Sequence, residues 1–124
     1  MATTYWTGTA GDGDWSNASN WSGSAPAASD IAILASGTDD ITAGLSQSAI
    51  TLDELRIGPQ FTGSIGTSSG SLLINSAAFD FAGGGASNYL TGTFSVLSVS
   101  DGPPSVNMLQ LGDSQITTLR CTGG

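Results

Sequence analysis

Short runs of apolar residues, separated by turns rich in glycine, serine and proline, recur along this chain. The densest stretch, residues 49–76, holds two such runs, at 50–57 and at 72–74. Runs of this length between Gly, Pro, Ser and Asn predict strands rather than helices. We expect the first run to end at Gly58-Pro59, which would also cut short the one local alternative, a single helical turn at 51–55.

The same pattern predicts further strands on both sides of this stretch. They lie at residues 5–6, 30–34, 41–45, 79–81, 93–99, 107–111 and 115–121, and Asp101-Gly102-Pro103-Pro104 forms a turn before the last two. The uneven spacing predicts an all-β fold, either a short irregular β-solenoid or a β-sandwich or jelly roll. Clustered apolar triplets and scarce charge favour the solenoid, whereas the short chain favours the sandwich.

At 124 residues, the length predicts a single β domain over 1–124. Within it, residues 1–30 form a Trp-rich N-terminal segment and residues 31–124 a core of short strands. We expect apolar side chains from successive strands to meet in one core. The predicted core residues are Leu52, Leu55, Ile57, Leu73, Val96, Leu109 and Leu119.

All three tryptophans of the chain lie in the N-terminal segment, and a polar loop, residues 16–20, separates the last two. One interpretation is a hydrophobic plug at the end of the core, in which each indole N–H donates to a carbonyl. The alternatives are stacking on a sugar ring and contact with a protein partner. The candidate ligand or partner contacts are Tyr5, Trp6, Trp15, Trp21 and Tyr89.

Candidate metal ligands are few. Asp12-Gly13-Asp14 followed by Asn17 offers oxygen ligands, but it lacks the full spacing and the distal glutamate of an EF-hand. The single cysteine, Cys121, has no disulfide partner and no metal-site spacing, so we expect a buried thiol. We therefore predict no metal and no cofactor.

The charge balance narrows the classes of function. Ten acidic residues face two arginines, with no histidine and no lysine, for a formal net charge of −8. Such a surface repels phosphate, so we predict neither a nucleic-acid nor a membrane partner. Without His or Lys the chain lacks the usual general base and the Schiff-base amine. Carboxylates remain as possible catalytic groups, and a glycosidase needs two of them in a cleft. The sequence indicates no such pair, so we predict a protein that is not an enzyme.

The opening residues YWTGTAGDGDWSNASNWSGSAPAASDIAIL follow the pattern W-x-G…DGDW-x-x-x-x-NW…P-x-x-x-D. This segment resembles the start of β-rich repeat proteins found among bacterial surface proteins and tailed-phage structural proteins. Two later stretches, AITLDELRIG and QITTLRCTGG, are similar to the solenoid rungs of those proteins. The resemblance implies a β-rich structural or adhesive module. The chain departs from exported members of that group because it has no signal peptide.

The N-terminal residues show neither a basic nor an apolar leader region, and no run of about 18 apolar residues occurs. We therefore expect synthesis in a host cytoplasm and localisation in a virion. The expected function is that of a phage capsid decoration or cement protein, bound to the major capsid protein or another virion protein as a homo-oligomer. A trimer is expected by analogy with phage β-rich spikes on three-fold axes. The alternative is a carbohydrate-binding or adhesive module of a tail fibre or a bacterial surface protein.

Overall fold

The computed structural model describes residues 2–83, 87–100 and 108–122, and strands dominate them. The strands are β1 (Thr3–Tyr5), β2 (Ile31–Gly37), β3 (Ser46–Phe61), β4 (Leu72–Phe81), β5 (Ser87–Thr91), β6 (Thr93–Ser100), β7 (Met108–Gln110) and β8 (Gln115–Thr122). The described residues also contain one 3₁₀ turn, Ala18–Asn20, and no α-helix. The predicted all-β class is confirmed. No helix among these residues has the length and hydropathy needed to span a membrane.

The strands form one sheet in which the paired strands run parallel. A long ladder runs through β1, β2, β3, β4, β6 and β8 in that order. A short ladder joins β4 to β5 and β5 to β7. Parallel neighbours usually require a crossover of a dozen or more residues that forms a helix. Here the described residues of the connections form turns, loops, isolated bridges and one 3₁₀ turn instead.

Residues at matching positions of the long ladder stack in rows. The central row consists of Thr4, Ala32, Leu55, Phe79, Leu97 and Leu119, each in register with the next. The first five members are buried, at 3% exposure or less, whereas Leu119 is 58% exposed. The central row therefore forms the middle of the core, and its last member lies at an open end of the ladder.

Inward-facing residues in β3 recur at the spacing i, i+3, i+5. Leu52, Leu55 and Ile57 occupy these positions, and all three are buried. The register places three further strands in step with them: residues 76, 79 and 81 in β4, residues 94, 97 and 99 in β6, and residues 116, 119 and 121 in β8. One extra residue between the first two inward positions breaks the strict alternation of a flat strand.

The predicted core is confirmed for Leu52, Leu55 and Ile57, but it is wrong for two other residues. Leu73 is 39% exposed because its neighbours Leu72 and Ile74 face inward, and alternation along β4 turns the side chain between them outward. Leu119 faces inward in register but has no described strand beyond it. Val96 and Leu109 are half-buried.

The expected strand end at Gly58-Pro59 is wrong, because β3 continues to Phe61. The residues expected to form the alternative helical turn, 51–55, lie in the same strand. Leu34 pairs with Ile57 but Ser36 pairs with Gln60, so β3 carries an extra residue at this point. A β-bulge accommodates a proline, which has no N–H to donate to the ladder. The predicted turn at 101–104 and the predicted buried thiol of Cys121 lie outside the residues and side chains described.

Candidate functional site

The three tryptophans pack together at the β1 end of the ladder, and we call this cluster the Trp cap. The ring centroids of Trp6 and Trp21 lie 5.3 Å apart, and those of Trp15 and Trp21 lie 4.8 Å apart. Both pairs are edge-to-face, which is the geometry that aromatic quadrupoles favour. Each indole is at most 4% exposed. No tryptophan face is therefore open to a ligand in this conformation.

The hydrogen bonding of the Trp cap matches the predicted plug in part. The indole N–H of Trp21 donates to the carbonyl of Trp15 over 2.8 Å. The indole N–H groups of Trp6 and Trp15 are buried and have no acceptor among the described residues. The expectation that every indole N–H finds a carbonyl is therefore correct for Trp21 alone.

Backbone hydrogen bonds attach the loop that carries the Trp cap to the end of β1 and to the segment between β2 and β3. Trp21 pairs antiparallel with Trp6, and the N–H of Ser22 donates to the carbonyl of Tyr5 over 2.8 Å. The N–H of Trp15 donates to the carbonyl of Ala43 over 3.0 Å. The chain itself thereby covers the outer edge of β1 at Tyr5.

Asp12 organises the loop between the first two tryptophans. Its carboxylate accepts from the side-chain amides of Asn17 and Asn20, at 2.8 and 2.7 Å, and from the N–H of Asp14 at 3.1 Å. These donors, Asn17 first and then Asn20, lower the pKa of Asp12 below its ordinary value. Both carboxylate oxygens are thus engaged by hydrogen-bond donors, which a bound cation would have to displace. In the described residues no three acidic or cysteine side chains come together as metal ligands do.

Asp30 ties the N-terminal segment to the ladder. Its buried carboxylate accepts from the N–H groups of Ala27 and Ala2, at 2.9 and 3.0 Å. These two donors, Ala27 first, lower the pKa of Asp30. The carbonyl of Asp30 also accepts from the N–H of Asp53 in β3 over 3.0 Å. The last residue of the P-x-x-x-D motif therefore has a structural role in a turn.

The outer face of the long ladder carries a row of its own, which we call the polar row. Its members are Tyr5, Ile33, Arg56, Asp80, Ser98 and Arg120, each in register with the next. Both arginines of the chain lie in this row. Because strand neighbours are separated by about 4.8 Å, the side chains of the row lie next to one another along the ladder axis, and Ile33 is its one aliphatic member.

The centre of the polar row is an ionic cluster. The guanidinium of Arg56 forms an ion pair with Glu54 in the same strand, and its Nε lies 4.0 Å from Oδ2 of Asp80 in the next strand. Burial, followed by the nearby charge of Glu54, raises the pKa of Asp80. Glu54 raises the pKa of Arg56. Two carboxyl groups therefore share one arginine on an exposed face.

The predicted contact residues do not form one site. The Trp cap residues are buried together, Tyr5 lies at the head of the polar row with 46% exposure, and Tyr89 is half-buried in β5. The ionic cluster of Glu54, Arg56 and Asp80 was not among the predicted residues. A repeated polar position in the sequence could have revealed it. Four residues after the first inward position of β3, β4, β6 and β8, the chain has Arg56, Asp80, Ser98 and Arg120, respectively.

The opposite end of the ladder differs from the capped end. β8 pairs with β6 along one side, and its other side has no partner strand among the described residues. Leu119 in the central row is exposed there, and Ile116 is half-buried. We call this unpaired side of β8 the open edge.

No protein-family model, no curated protein and no solved structure matches this chain. The resemblance of residues 1–30 to phage and bacterial surface repeat proteins therefore stays a prediction.

Proposed function

We propose that this chain is a short β-solenoid that serves as a structural, non-enzymatic subunit of a phage virion. In this proposal it is a capsid decoration or cement protein that binds the major capsid protein or another virion protein and assembles as a homotrimer. The observation that carries the proposal is the long parallel ladder, in which inward residues of successive strands stack in register and the Trp cap closes the β1 end.

The parallel pairing supports the solenoid over the sandwich. β-Sandwiches and jelly rolls are built from antiparallel strands. In the long ladder each strand pairs in parallel with its predecessor, and inward residues such as Leu55 and Phe79 stack in register. Successive members of the central row lie between 18 and 28 residues apart, as the positions 4, 32, 55, 79, 97 and 119 give. That period is typical of stacked repeat architectures.

The closed β1 end supports a structural role. In a repeat protein the terminal repeats must be covered to prevent uncontrolled association. The Trp cap and Ser22 cover the β1 end. Leu119, which is in register with five buried residues, is exposed in β8, the last strand that the structure describes.

The burial of the Trp cap removes the main support for carbohydrate stacking on tryptophan. A carbohydrate-binding or adhesive module remains the second candidate because Tyr5 is exposed at the head of the polar row. Tyr5 lies two strands from Arg56 in this row, so the face offers an aromatic ring for stacking and charged groups for hydrogen bonding to sugar hydroxyls. Glycan-array binding that is lost in Tyr5→Ala but kept in Tyr89→Ala would favour this candidate.

The test of the proposed function is the location of the chain in a particle. Virions are purified from lysates of the encoding host, and their proteins are identified by mass spectrometry. A reconstruction of the particle then locates density at the three-fold positions of the shell. We expect a stoichiometric virion component that forms a trimer in light scattering. A stable monomer of about 12.3 kDa that neither accompanies nor binds virions would refute the proposal.

A further inference from the structure

We infer that the carboxylate of Asp39 accepts a hydrogen bond from the indole N–H of Trp6 and thereby holds the Trp cap closed. We call this hydrogen bond the cap bond. Trp6 directly follows β1 and is 4% exposed, whereas Asp39 is exposed in the segment between β2 and β3. The cap bond therefore joins the first tryptophan of the cap to a residue more than thirty positions further along the chain, as the numbers 6 and 39 give.

Gly8 shows how near the two groups lie to each other. A Cβ at Gly8 would overlap Oδ2 of Asp39, and Nε1 of Trp6 lies 3.3 Å from the same point. Gly8 has a φ of +65°, a conformation that residues with a side chain rarely adopt. The glycine of the W-x-G pattern therefore leaves room for a carboxylate beside the indole nitrogen.

Each of the two groups lacks the partner that the other offers. The indole N–H of Trp6 is buried and has no acceptor among the described residues. A buried donor without a partner destabilises the fold. The carboxylate of Asp39 accepts no hydrogen bond within the described part of the chain. Because this side chain is exposed, it can turn towards Nε1 of Trp6 without displacing the core, and its charge strengthens the bond that results.

The segment that carries Asp39 is fixed on both sides. Oδ1 of Asp40 accepts from the N–H of Ser64, which lies between β3 and β4, over 2.9 Å. On the other side, the N–H of Thr42 donates over 3.0 Å to the carbonyl of Gly13, in the loop that carries the Trp cap. These bonds hold residues 39–42 between the cap and the next turn of the chain. The carboxylate at position 39 is thus kept next to the cap.

Nuclear magnetic resonance of the indole N–H groups tests the cap bond. The isotope-labelled full chain gives one indole signal for each of its three tryptophans, and Trp6→Phe identifies the signal of Trp6 by its loss. We expect the Trp6 proton to exchange slowly with solvent. Asp39→Ala should shift this signal and speed its exchange at least about tenfold, the factor that a bond to a charged acceptor supplies. A Trp6 signal that does not change in Asp39→Ala would overturn the inference.

Two further variants make the test specific. Asp53→Ala is the matched control, because it removes a carboxylate from another exposed position, in β3, and it should leave the Trp6 signal unchanged. Asp39→Asn keeps an acceptor oxygen and should restore part of the slow exchange. Equal changes in Asp39→Ala and Asp53→Ala would overturn the inference in favour of a general effect of charge. Magnetisation transfer from a bound water to the Trp6 proton would overturn it in favour of a water acceptor.

Stability gives a second readout of the cap bond. Trp6→Phe removes the N–H but keeps an aromatic ring, so Trp6→Phe and Asp39→Ala should destabilise the chain by less together than the sum of their separate effects. Strictly additive losses in urea denaturation would contradict the bond. None of these measurements depends on whether the chain occurs in virions, so the cap bond and the proposed function can fail independently.

Discussion

Leu55 is paired in register with Phe79 on the adjacent parallel strand, and both side chains are fully buried in the central row. Leu55→Ala removes three heavy atoms from a site packed from both neighbouring strands. We expect the free energy of unfolding to fall by about 2 to 5 kcal/mol. Urea denaturation monitored by circular dichroism measures this loss as a lower midpoint with an unchanged slope.

Leu73→Ala is the matched control for this prediction, because it changes the same residue type on the outward side of β4. Leu73 is 39% exposed, so the loss should stay within about 0.5 kcal/mol. Equal losses in the two variants would show that the register of β3 and β4 is wrong.

The Trp cap predicts the fluorescence of the chain. Trp15 is 1% exposed and packs edge-to-face on Trp21, so its emission should be blue-shifted and resistant to acrylamide. Trp15→Ala should cost about 3 to 5 kcal/mol of stability, because a large buried side chain is removed. Quenching in the native chain as strong as in urea would contradict the buried cap.

Asp30 should stabilise the fold in a pH-dependent way. Its pKa is lowered below the ordinary 3.8, so its carboxylate stabilises the folded state above pH 3.8 and loses this effect as pH falls through the folded pKa. Asp30→Asn should cost about 1 to 3 kcal/mol at pH 6, since hydrogen bonds to a charged acceptor are weakened. The difference between native and variant chains should shrink as pH falls below 3.8. A difference that is constant with pH would argue against the lowered pKa.

The ionised carboxylate of Asp80 should affect the stability of the fold in the opposite direction to that of Asp30. Its pKa is raised above 3.8, so ionisation costs stability progressively as pH rises from 3.8 through the folded pKa. The groups that face Asp80 are Glu54, Arg56 and Ser98. Asp80→Asn should therefore be more stable than the native chain at neutral pH. The gain should not exceed about 0.5 kcal/mol, because the side chain is 48% exposed. Thermal melts between pH 3 and pH 7 test this, and a destabilised variant at pH 7 would mean that the attraction to Arg56 dominates.

Gly92, the single residue between β5 and β6, lies close to the backbone of β4. A Cβ at Gly92 would overlap the carbonyl oxygen of Ile74, and the N–H of Gly92 donates to Oγ of Ser114 over 3.0 Å. Gly92→Ala should cost about 1 to 3 kcal/mol, because the backbone must shift. Gly23→Ala is the control, since nothing lies within 4 Å of a Cβ there. Equal unfolding midpoints for both variants would contradict the close approach at Gly92.

The sequence could predict the strands themselves because strand formation depends on local patterns. Runs such as 79–81 and 93–99 alternate apolar and polar residues between turn formers, and they lie in β4 and β6. The pattern could not predict that β3 continues through Gly58-Pro59, since a bulge depends on the neighbouring strand. It also could not assign Leu73 to the outside, because two adjacent leucines in one strand leave the inward position ambiguous.

The candidate site was less predictable than the strands. The three tryptophans identified the N-terminal segment as a candidate site. Whether an indole is buried depends on residues distant in sequence, such as Ala43, which accepts a hydrogen bond from the N–H of Trp15. In the sequence, the ionic cluster is not recognisable, because its members Glu54, Arg56 and Asp80 belong to two separate strands. Only the parallel register brings Arg56 beside Asp80, 24 residues further along the chain, as the pairing of positions 56 and 80 gives.

The sequence by itself therefore determined the all-β class, most strand positions and the scarcity of catalytic groups, because these follow from composition and from the two-residue period of strands. The tertiary structure alone decided that the paired strands run parallel, that three tryptophans close one end, and that Leu119 is exposed at the other. These features depend on which strands become neighbours, and contacts between residues distant in sequence select those neighbours.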